Sequence, residues 1–498
     1  MNTYIGIDLG TSSVKLLLLA QDGTVRRTVS RRYPVSCPHP DWSEQNPEDW
    51  VSETLAGMVE LLAGEHPECV RGIGVAGQMH GLVLLDAHGN VLRPAILWND
   101  GRSAQETICL NRDLGEERLI KQTGNIAFSG FTLPKLLWVR NHEPEIYRQI
   151  ATVLLPKDYL VYRLTGILGT DPSDACGTLL FDVRQNRWST ELLNACNIQK
   201  RFMPQVRGSG EIVGRILPTI SSRLGIPPDA FAVAGAGDNA AAALGTGALT
   251  PGNCNLSLGT SGTLLIPCRE YPQSPHRALH TFVHADGKPM LLGCILSAAS
   301  CGQWWIEEIL KSADYAQEQR LFGTGGAGAL FFLPYLSGER SPHNDPHARG
   351  VFFGLSRDTT REQMTQAVYE GVTFALRDVL EAARAMRISP SSVTLCGGGA
   401  VSGAWCQMTA NILNLNIMLP SQLQGPSLGG AMLAAVADGA FASLESAIRK
   451  MVTVQAVLKP DASAVGYYEE RYRIYRKLYP AMKDLFPELI GPPHKTPR

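Results

Sequence analysis

Apolar and polar residues alternate at the start of the chain. Ile5, Ile7 and Leu9 fall on one side and Gly6 and Asp8 on the other. Residues 4–9 are therefore predicted to form a strand with Asp8 turned away from the core. Gly10-Thr11-Ser12-Ser13 reads as a turn, residues 14–20 as a second strand, Asp22-Gly23 as a hairpin turn and residues 24–35 as a third strand. Residues 50–63 then read as a helix, 72–76 and 81–85 as strands, and 86–90 as a turn. Far downstream, Thr360 and Gln363 make a capping box. Met364, Val368, Val372, Ala375 and Val379 mark the buried stripe of the long helix it opens. Residues 393–396 form a short strand that runs into Gly397-Gly398-Gly399. The stretch from about residue 487 is rich in Pro and Lys and is predicted to fray.

One motif occurs twice. Leu9-Gly10-Thr11-Ser12 recurs as Leu258-Gly259-Thr260-Ser261, each copy between apolar, strand-like segments. A single duplication, one copy per half, predicts two related α/β domains facing each other. The loop-like stretch 246–253 marks the boundary, giving domains of about 1–246 and 247–498.

Composition narrows the partners. The chain has 498 residues, 44% hydrophobic and 18% charged, with a formal net charge of -1. That length accommodates two or more domains with full cores. The charge balance gives no reason to expect nucleic acid or an anionic membrane. The eleven cysteines show no CxxC pair and no zinc spacing, so they read as reduced, mostly buried residues. No apolar stretch near the start is long enough for a signal peptide or a membrane span, so a cytoplasmic location is expected.

Candidate chemistry gathers at glycine-rich turns. A tight turn of Gly, Thr and Ser presents backbone N–H groups and hydroxyls to an anion without Cβ obstruction, although such turns also simply close hairpins. Gly235-Ala236-Gly237-Asp238 places a carboxylate where a strand gives way to a helix-like run. Asp238 there is either a plain N-cap or a ligand-facing acid. Asp8 has the matching alternatives. Two carboxylates beside glycine turns suit phosphoryl transfer: one near Mg²⁺ and the phosphates, the other taking a proton from the attacking hydroxyl. Gln78-Met79-His80-Gly81 and Trp98-Asn99-Asp100-Gly101-Arg102 end neighbouring strands, where clustered polar groups can read hydroxyls. His80 taken alone reads more readily as a structural histidine. The 235–240 stretch also fits the loose G-x-G-x-x-A dinucleotide pattern, so an NAD-dependent oxidoreductase is a competing reading. That pattern needs an acidic residue roughly 20 positions on, and none occurs from Asn239 to Arg269. No G-x-x-x-x-G-K-[ST] loop is present.

Taken together, these motifs resemble the FGGY family of carbohydrate kinases. Five of them fall in the family's order: the turns at Asp8–Ser12 and Ser257–Gly262, segments similar to its two signatures at 130–138 and 350–371, and Gly397-Gly398-Gly399-Ala400. The resemblance implies two actin-like (ribonuclease H-like) domains with the active site in the cleft between them. It implies a small-molecule ketose and ATP as substrates and Mg²⁺ as cofactor. The segments at Gln78 and Trp98 most resemble members acting on xylulose, implying D-xylulose; D-ribulose is the alternative sugar. By residue, it implies Asp238 as catalytic base and Asp8 as the carboxylate near the metal. Met79, His80, Asp238 and Asn239 would bind the sugar. Thr11, Ser12, Gly259, Thr260, Ser261, Gly398 and Gly399 would bind ATP. A homodimer is left open. A non-catalytic sugar sensor of the same superfamily is a third reading, disfavoured because Asp8 leaves no room for an N-terminal DNA-binding helix pair. Two departures from the family pattern stand out: Asn411 and Asn414 in one helix-end motif, and Ser427 with Gly430 in another.

Overall fold

The computed structural model describes residues 1–272, 279–320, 322, 326–421 and 424–489. Two seven-stranded sheets dominate it. In the first, Thr3–Leu9, Ser13–Ala20 and Val25–Arg32 form the expected antiparallel meander, and Val70–Gly77 runs parallel to Thr3–Leu9 on the other side. Phe231–Val233 and Ala236–Gly237 both pair in parallel with Val70–Gly77, and Ile212–Arg215 closes that edge antiparallel. The second sheet repeats this order. Asn253–Leu258, Gly262–Pro267 and Pro289–Ile295 make the meander. Ser392–Cys396 and Asn416–Pro420 follow in parallel, with Val454–Leu458 antiparallel at the edge. The duplicated motif thus marks a duplicated topology. The copies differ in one detail: Leu9 pairs with Val14, but Leu258 pairs with Gly262, so the second turn is one residue shorter.

The sheet is covered on both faces, which corrects the expectation that Asp8 points away from a core. Ile5, Ile7 and Leu9 pack with Trp50, Met58 and Leu61 on one side. On the other lies the helix Gly425–Ala437, wedged between the first sheet and the helix Asp238–Gly245. Parallel strands are normally buried twice over in this way. The approach is backbone to backbone. A Cβ on Gly6 would fall 1.8 Å from the Ser427 carbonyl oxygen, and one on Gly74 would fall 1.9 Å from that of Gly430. Gly430, one of the departures from the family pattern, is therefore at a contact with no room for a side chain on Gly74.

Local signals mostly hold. The first helix is Pro47–Leu62, with the Asn46 side chain accepting from the Glu48 N–H and Pro47 opening the first turn. The capping box at Thr360 and Gln363 forms in full and starts the helix Arg361–Ala385. Asn414 ends the helix Gly403–Leu413 in the left-handed region (φ 51°), which Asn tolerates. Asn411 accepts from the Gln407 side chain and the Asp461 N–H. Both asparagines thus serve a helix end.

Three expectations need correction. The third strand stops at Arg32. The strand after His80 is shorter than expected, Val83–Leu85, and leaves the main sheet to pair with Thr152–Leu154. Phe486–Leu489 is helical with Phe486 buried, so fraying does not begin at 487; the remainder of that tail lies outside the described residues. All eleven cysteines are free. Among the described residues no helix is long and apolar enough to cross a membrane.

Candidate active site

Asp8 and Asp238 sit at the carboxyl ends of two strands that run parallel to a third strand between them. Asp8 is level with Ala76 on the middle strand, and Gly237, one residue before Asp238, is level with Gly77. Ligands gather at such strand ends in open α/β sheets. Asp238 is not the N-cap of its helix; Gly237 is, and Asp238 is the first helical residue. Its Oδ1 accepts from the N–H of Asn239 at 2.7 Å and from the Asn239 side-chain amide at 2.8 Å. Oδ2 accepts no hydrogen bond among the described residues. Burial, and then the charge of Asp8, pushes the Asp238 carboxyl up to about 7. Burial pushes Asp8 up to about 6, opposed by Lys15 across the hairpin.

A cavity of about 260 Å³ opens in front of Asp238. Met79, His80, Trp98 and Asn239 line it from the first half of the chain; Gly259, Ser261, His280 and Arg340 are among its residues from the second. All four residues expected to bind the sugar are therefore together. His80 is held in the left-handed region at φ 70°, an unusual conformation for a residue with a Cβ. Its carbonyl accepts from Lys135 Nζ and Thr132 Oγ1, each at 3.0 Å. Its Nδ1 lies 2.8 Å from the Gly177 carbonyl oxygen. A carbonyl can only accept, so Nδ1 carries the proton and Nε2 is an acceptor. Burial pushes the imidazole down to about 3, which keeps it neutral.

A second, larger and more apolar cavity of about 510 Å³ lies on the other side of the 259–261 turn. Thr260, Gly398 and Gly399 line it with Gln319, Tyr369 and Trp405. A Cβ on Gly398 would meet nothing within 4 Å, so that face stays open. The turn alternates: Gly259 and Ser261 face the smaller cavity, Thr260 the larger. Thr11 and Ser12 line neither. Thr11 Oγ1 accepts from Trp98 Nε1 at 2.9 Å, and its carbonyl accepts from Gln45 at 2.6 Å.

The Trp98 segment divides. Trp98 reaches the cavity, but Asp100 and Arg102 form a buried ion pair at 2.7 Å, and Arg102 also pairs with Glu44. That corrects the expectation of a hydroxyl-reading cluster there. Arg102 also lies over the Trp42 ring, 3.7 Å from its centroid. Sequence reasoning missed His280, Phe282 and Arg340, which carry no glycine-turn signal. It also missed the buried support behind Asp238. Lys157, fully buried, meets Asp158 at 2.6 Å, Asp171 at 3.0 Å and Asp174 at 3.8 Å. Asp171 accepts from Ser173, whose hydroxyl in turn accepts from the Gly237 N–H at 3.0 Å, directly before Asp238.

A metal has one candidate carboxylate. Asp8 accepts no hydrogen bond among the described residues, and burial raises its pKa against the pull of Lys15, so its carboxylate is free to take a further cation. No group of three or more His, Cys, Asp or Glu that could hold a metal occurs among the described residues. One carboxylate plus substrate phosphates is the usual manner of Mg²⁺ binding, so the residues fit that ion carried in with a nucleotide.

The chain is similar to known proteins along nearly its whole length. It is 44% identical over 486 residues to the xylulose kinase of Escherichia coli strain K12, covering 96% of this chain and 98% of that one. It is 38% identical over 492 residues to the xylulose kinase of Bacillus subtilis strain 168, covering 97% and 98%. A crystal structure described as a xyloylose kinase from Brucella ovis superposes with a TM-score of 0.91 at 39% identity, covering 97% of this chain and all of that one. The N-terminal domain of the FGGY family of carbohydrate kinases matches residues 3–245 and its C-terminal domain matches 254–437. With both domains matched in order around one cleft, the chain belongs to the FGGY family of carbohydrate kinases.

Proposed function

We propose that the protein transfers the γ-phosphoryl group of ATP to O5 of D-xylulose. One observation carries this reading: a single glycine turn, 259–261, faces a small cavity holding Asp238 on one side and a larger, more apolar cavity on the other. A sugar in the first and an adenosine in the second would meet across that turn, with the phosphates between them. The xylulose kinases above supply the sugar.

Asp238 is the base in this reading. Its Oδ2 takes the proton from the O5 hydroxyl as O5 bonds to the γ-phosphorus. The bond from that phosphorus to the β,γ-bridging oxygen breaks, and its electron pair leaves with ADP. The raised pKa suits a base working near neutrality. Met79, His80 and Asn239 hold the sugar. Gly259, Thr260 and Ser261 cradle the phosphates, and Gly398 and Gly399 border the adenosine. Thr11 and Ser12 would reach the phosphates when the halves close, which also excludes water. Asp8 would hold Mg²⁺, which when bound neutralises charge on the β- and γ-phosphates. We place the division between the sugar and nucleotide halves near residue 246, with the helix Gly425–Ala437 returning to pack on the first sheet.

A coupled ADP-release assay across D-xylulose, D-ribulose, L-ribulose, D-gluconate and glycerol tests the substrate. The expected result is the highest kcat/KM for D-xylulose. A higher value for another compound overturns the sugar; ADP release with none of them overturns the reaction.

A further inference from the structure

Phosphorylation at O5 constrains the form of the sugar. The ring form of a 2-ketopentose closes through O5, so a free O5 hydroxyl requires the open chain with its carbonyl exposed. The site must then satisfy hydroxyls, which donate and accept, and one carbonyl, which only accepts.

The cavity sorts its fixed groups accordingly. Asp238 Oδ2 and His80 Nε2 are acceptors, as derived above. His280 is a third. The Asn125 amide nitrogen donates to the carbonyls of Thr123 at 2.9 Å and Thr281 at 3.0 Å, which fixes its orientation. Asn125 Oδ1, at 2.9 Å from His280 Nδ1, must then accept from it. His280 Nε2 is left as an acceptor. Burial, and then the charge of Arg340, holds this imidazole well below its ordinary value and neutral. Asn239 is a donor, but its amide already serves Asp238 Oδ1.

Arg340 is the one cation lining the cavity among the described residues, and it is an obligate donor. Its guanidinium has no carboxylate partner there. It lies over the Phe128 ring, 5.3 Å from the centroid, and against the Cys294 thiol, a weak acceptor. Its backbone is fixed: the Glu339 carboxylate accepts from the N–H of Arg340 at 2.7 Å and of Leu296 at 3.0 Å. A cation on a fixed backbone, lining a cavity of fixed acceptors, suits a ligand oxygen that cannot donate.

We propose that Arg340 receives the carbonyl oxygen of the open-chain ketose and is the residue by which the site distinguishes a ketose from the corresponding polyol. The inference rests on the sugar-kinase reading above. Because Arg340 comes from the second half and His80 from the first, the sugar would also tie the two halves together.

The test is calorimetric binding of D-xylulose and of its reduced pentitol to wild type, Arg340→Met and Arg340→Lys, with ATP affinity measured alongside. Wild type should prefer the ketose. Arg340→Met should weaken D-xylulose by about 10- to 100-fold, the loss expected for a charged hydrogen bond to a buried acceptor, and the pentitol by less than about threefold. Arg340→Lys should restore part of the difference. ATP affinity should not change, which also shows that the variants are folded. Equal weakening of ketose and pentitol would overturn the carbonyl assignment, as would unchanged binding of both or a loss confined to ATP. Tighter binding of D-gluconate than of D-xylulose would assign Arg340 to a carboxylate instead and overturn the proposal. Wild type that binds no ketose at all is a failure of the substrate reading, distinguishable from these outcomes.

Discussion

Asp8 and Asp238 stand at the ends of two strands that flank a third, and the negative charge of Asp8 raises the pKa of Asp238. Both carboxylates are pushed up chiefly by burial, to about 6 and about 7. The base is therefore poised to titrate far closer to neutral pH than an ordinary carboxylate. A cation at Asp8 would cancel the charge that contributes to this.

That relationship predicts a pH profile. The base form of Asp238 is present only above its pKa, so kcat/KM for the sugar should rise with pH and level off above about 7. With MgATP saturating, the corresponding limb in kcat should lie at lower pH. The sign for stability is opposite. The folded protein holds the Asp238 proton more tightly than the unfolded chain, so that stabilisation is present below about pH 4 and lost as pH rises through about 7. Asp238→Asn should therefore melt higher than wild type at pH 8, and the gap should narrow at pH 5 and close below about pH 4. A flat rate profile between pH 5.5 and 8, or a variant less stable at pH 8, would contradict this.

His80 is expected to act on the sugar alone. His80→Ala leaves a sugar hydroxyl without its acceptor, a loss of about 1–3 kcal/mol. That is a fall of roughly tenfold or more in kcat/KM for D-xylulose. KM for ATP should hardly move. If sugar and ATP are weakened alike, the left-handed backbone at His80 is a structural feature and not a binding one.

These residues show what the sequence made legible. Asp8 and Asp238 were visible because turn chemistry is local, and the duplicated motif set the two Gly-Thr-Ser turns in a pair. Met79 and His80 came from family likeness, and the structure adds the tautomer, which depends on a Gly177 carbonyl distant in the chain. His280 and Arg340 were not legible. Each is an isolated polar residue whose meaning depends on partners brought in by the sheet, such as Asn125 and Glu339. Asp100 and Arg102 misled for the same reason, since Glu44 and Trp42 turn them into a buried structural pair.

Lys157 should matter for folding more than for binding. It lies among Asp158, Asp171 and Asp174, and both oxygens of Asp174 lack a hydrogen bond. Burial raises the Asp174 carboxyl well above its usual range. Lys157→Met would leave these carboxylates without a cation, a loss of about 3–5 kcal/mol for breaking a buried pair. Thermal unfolding should show a clear drop in melting temperature. Lys157→Met at wild-type stability would mean that the cluster is already neutralised by protonation.

The larger cavity gives the complementary test. Gly398 borders open space, where an added Cβ meets nothing within 4 Å, so Gly398→Val should direct its methyls into the slot and fill part of it. KM for ATP should rise about tenfold or more, while binding of D-xylulose alone stays unchanged. An unchanged KM for ATP would remove the adenosine from this cavity.

The most direct measurement is the position of the transferred phosphate, read by phosphorus–proton coupling in the isolated product, for wild type and Asp238→Asn. The account predicts one phosphate coupled to the C5 methylene protons for each ADP formed by wild type. It predicts a rate lowered by about 10²–10⁴ in the variant, the usual contribution of a general base, with ATP affinity retained. Phosphate on any other oxygen, or ketose 5-phosphate formed by Asp238→Asn at more than about a tenth of the wild-type rate, would contradict it.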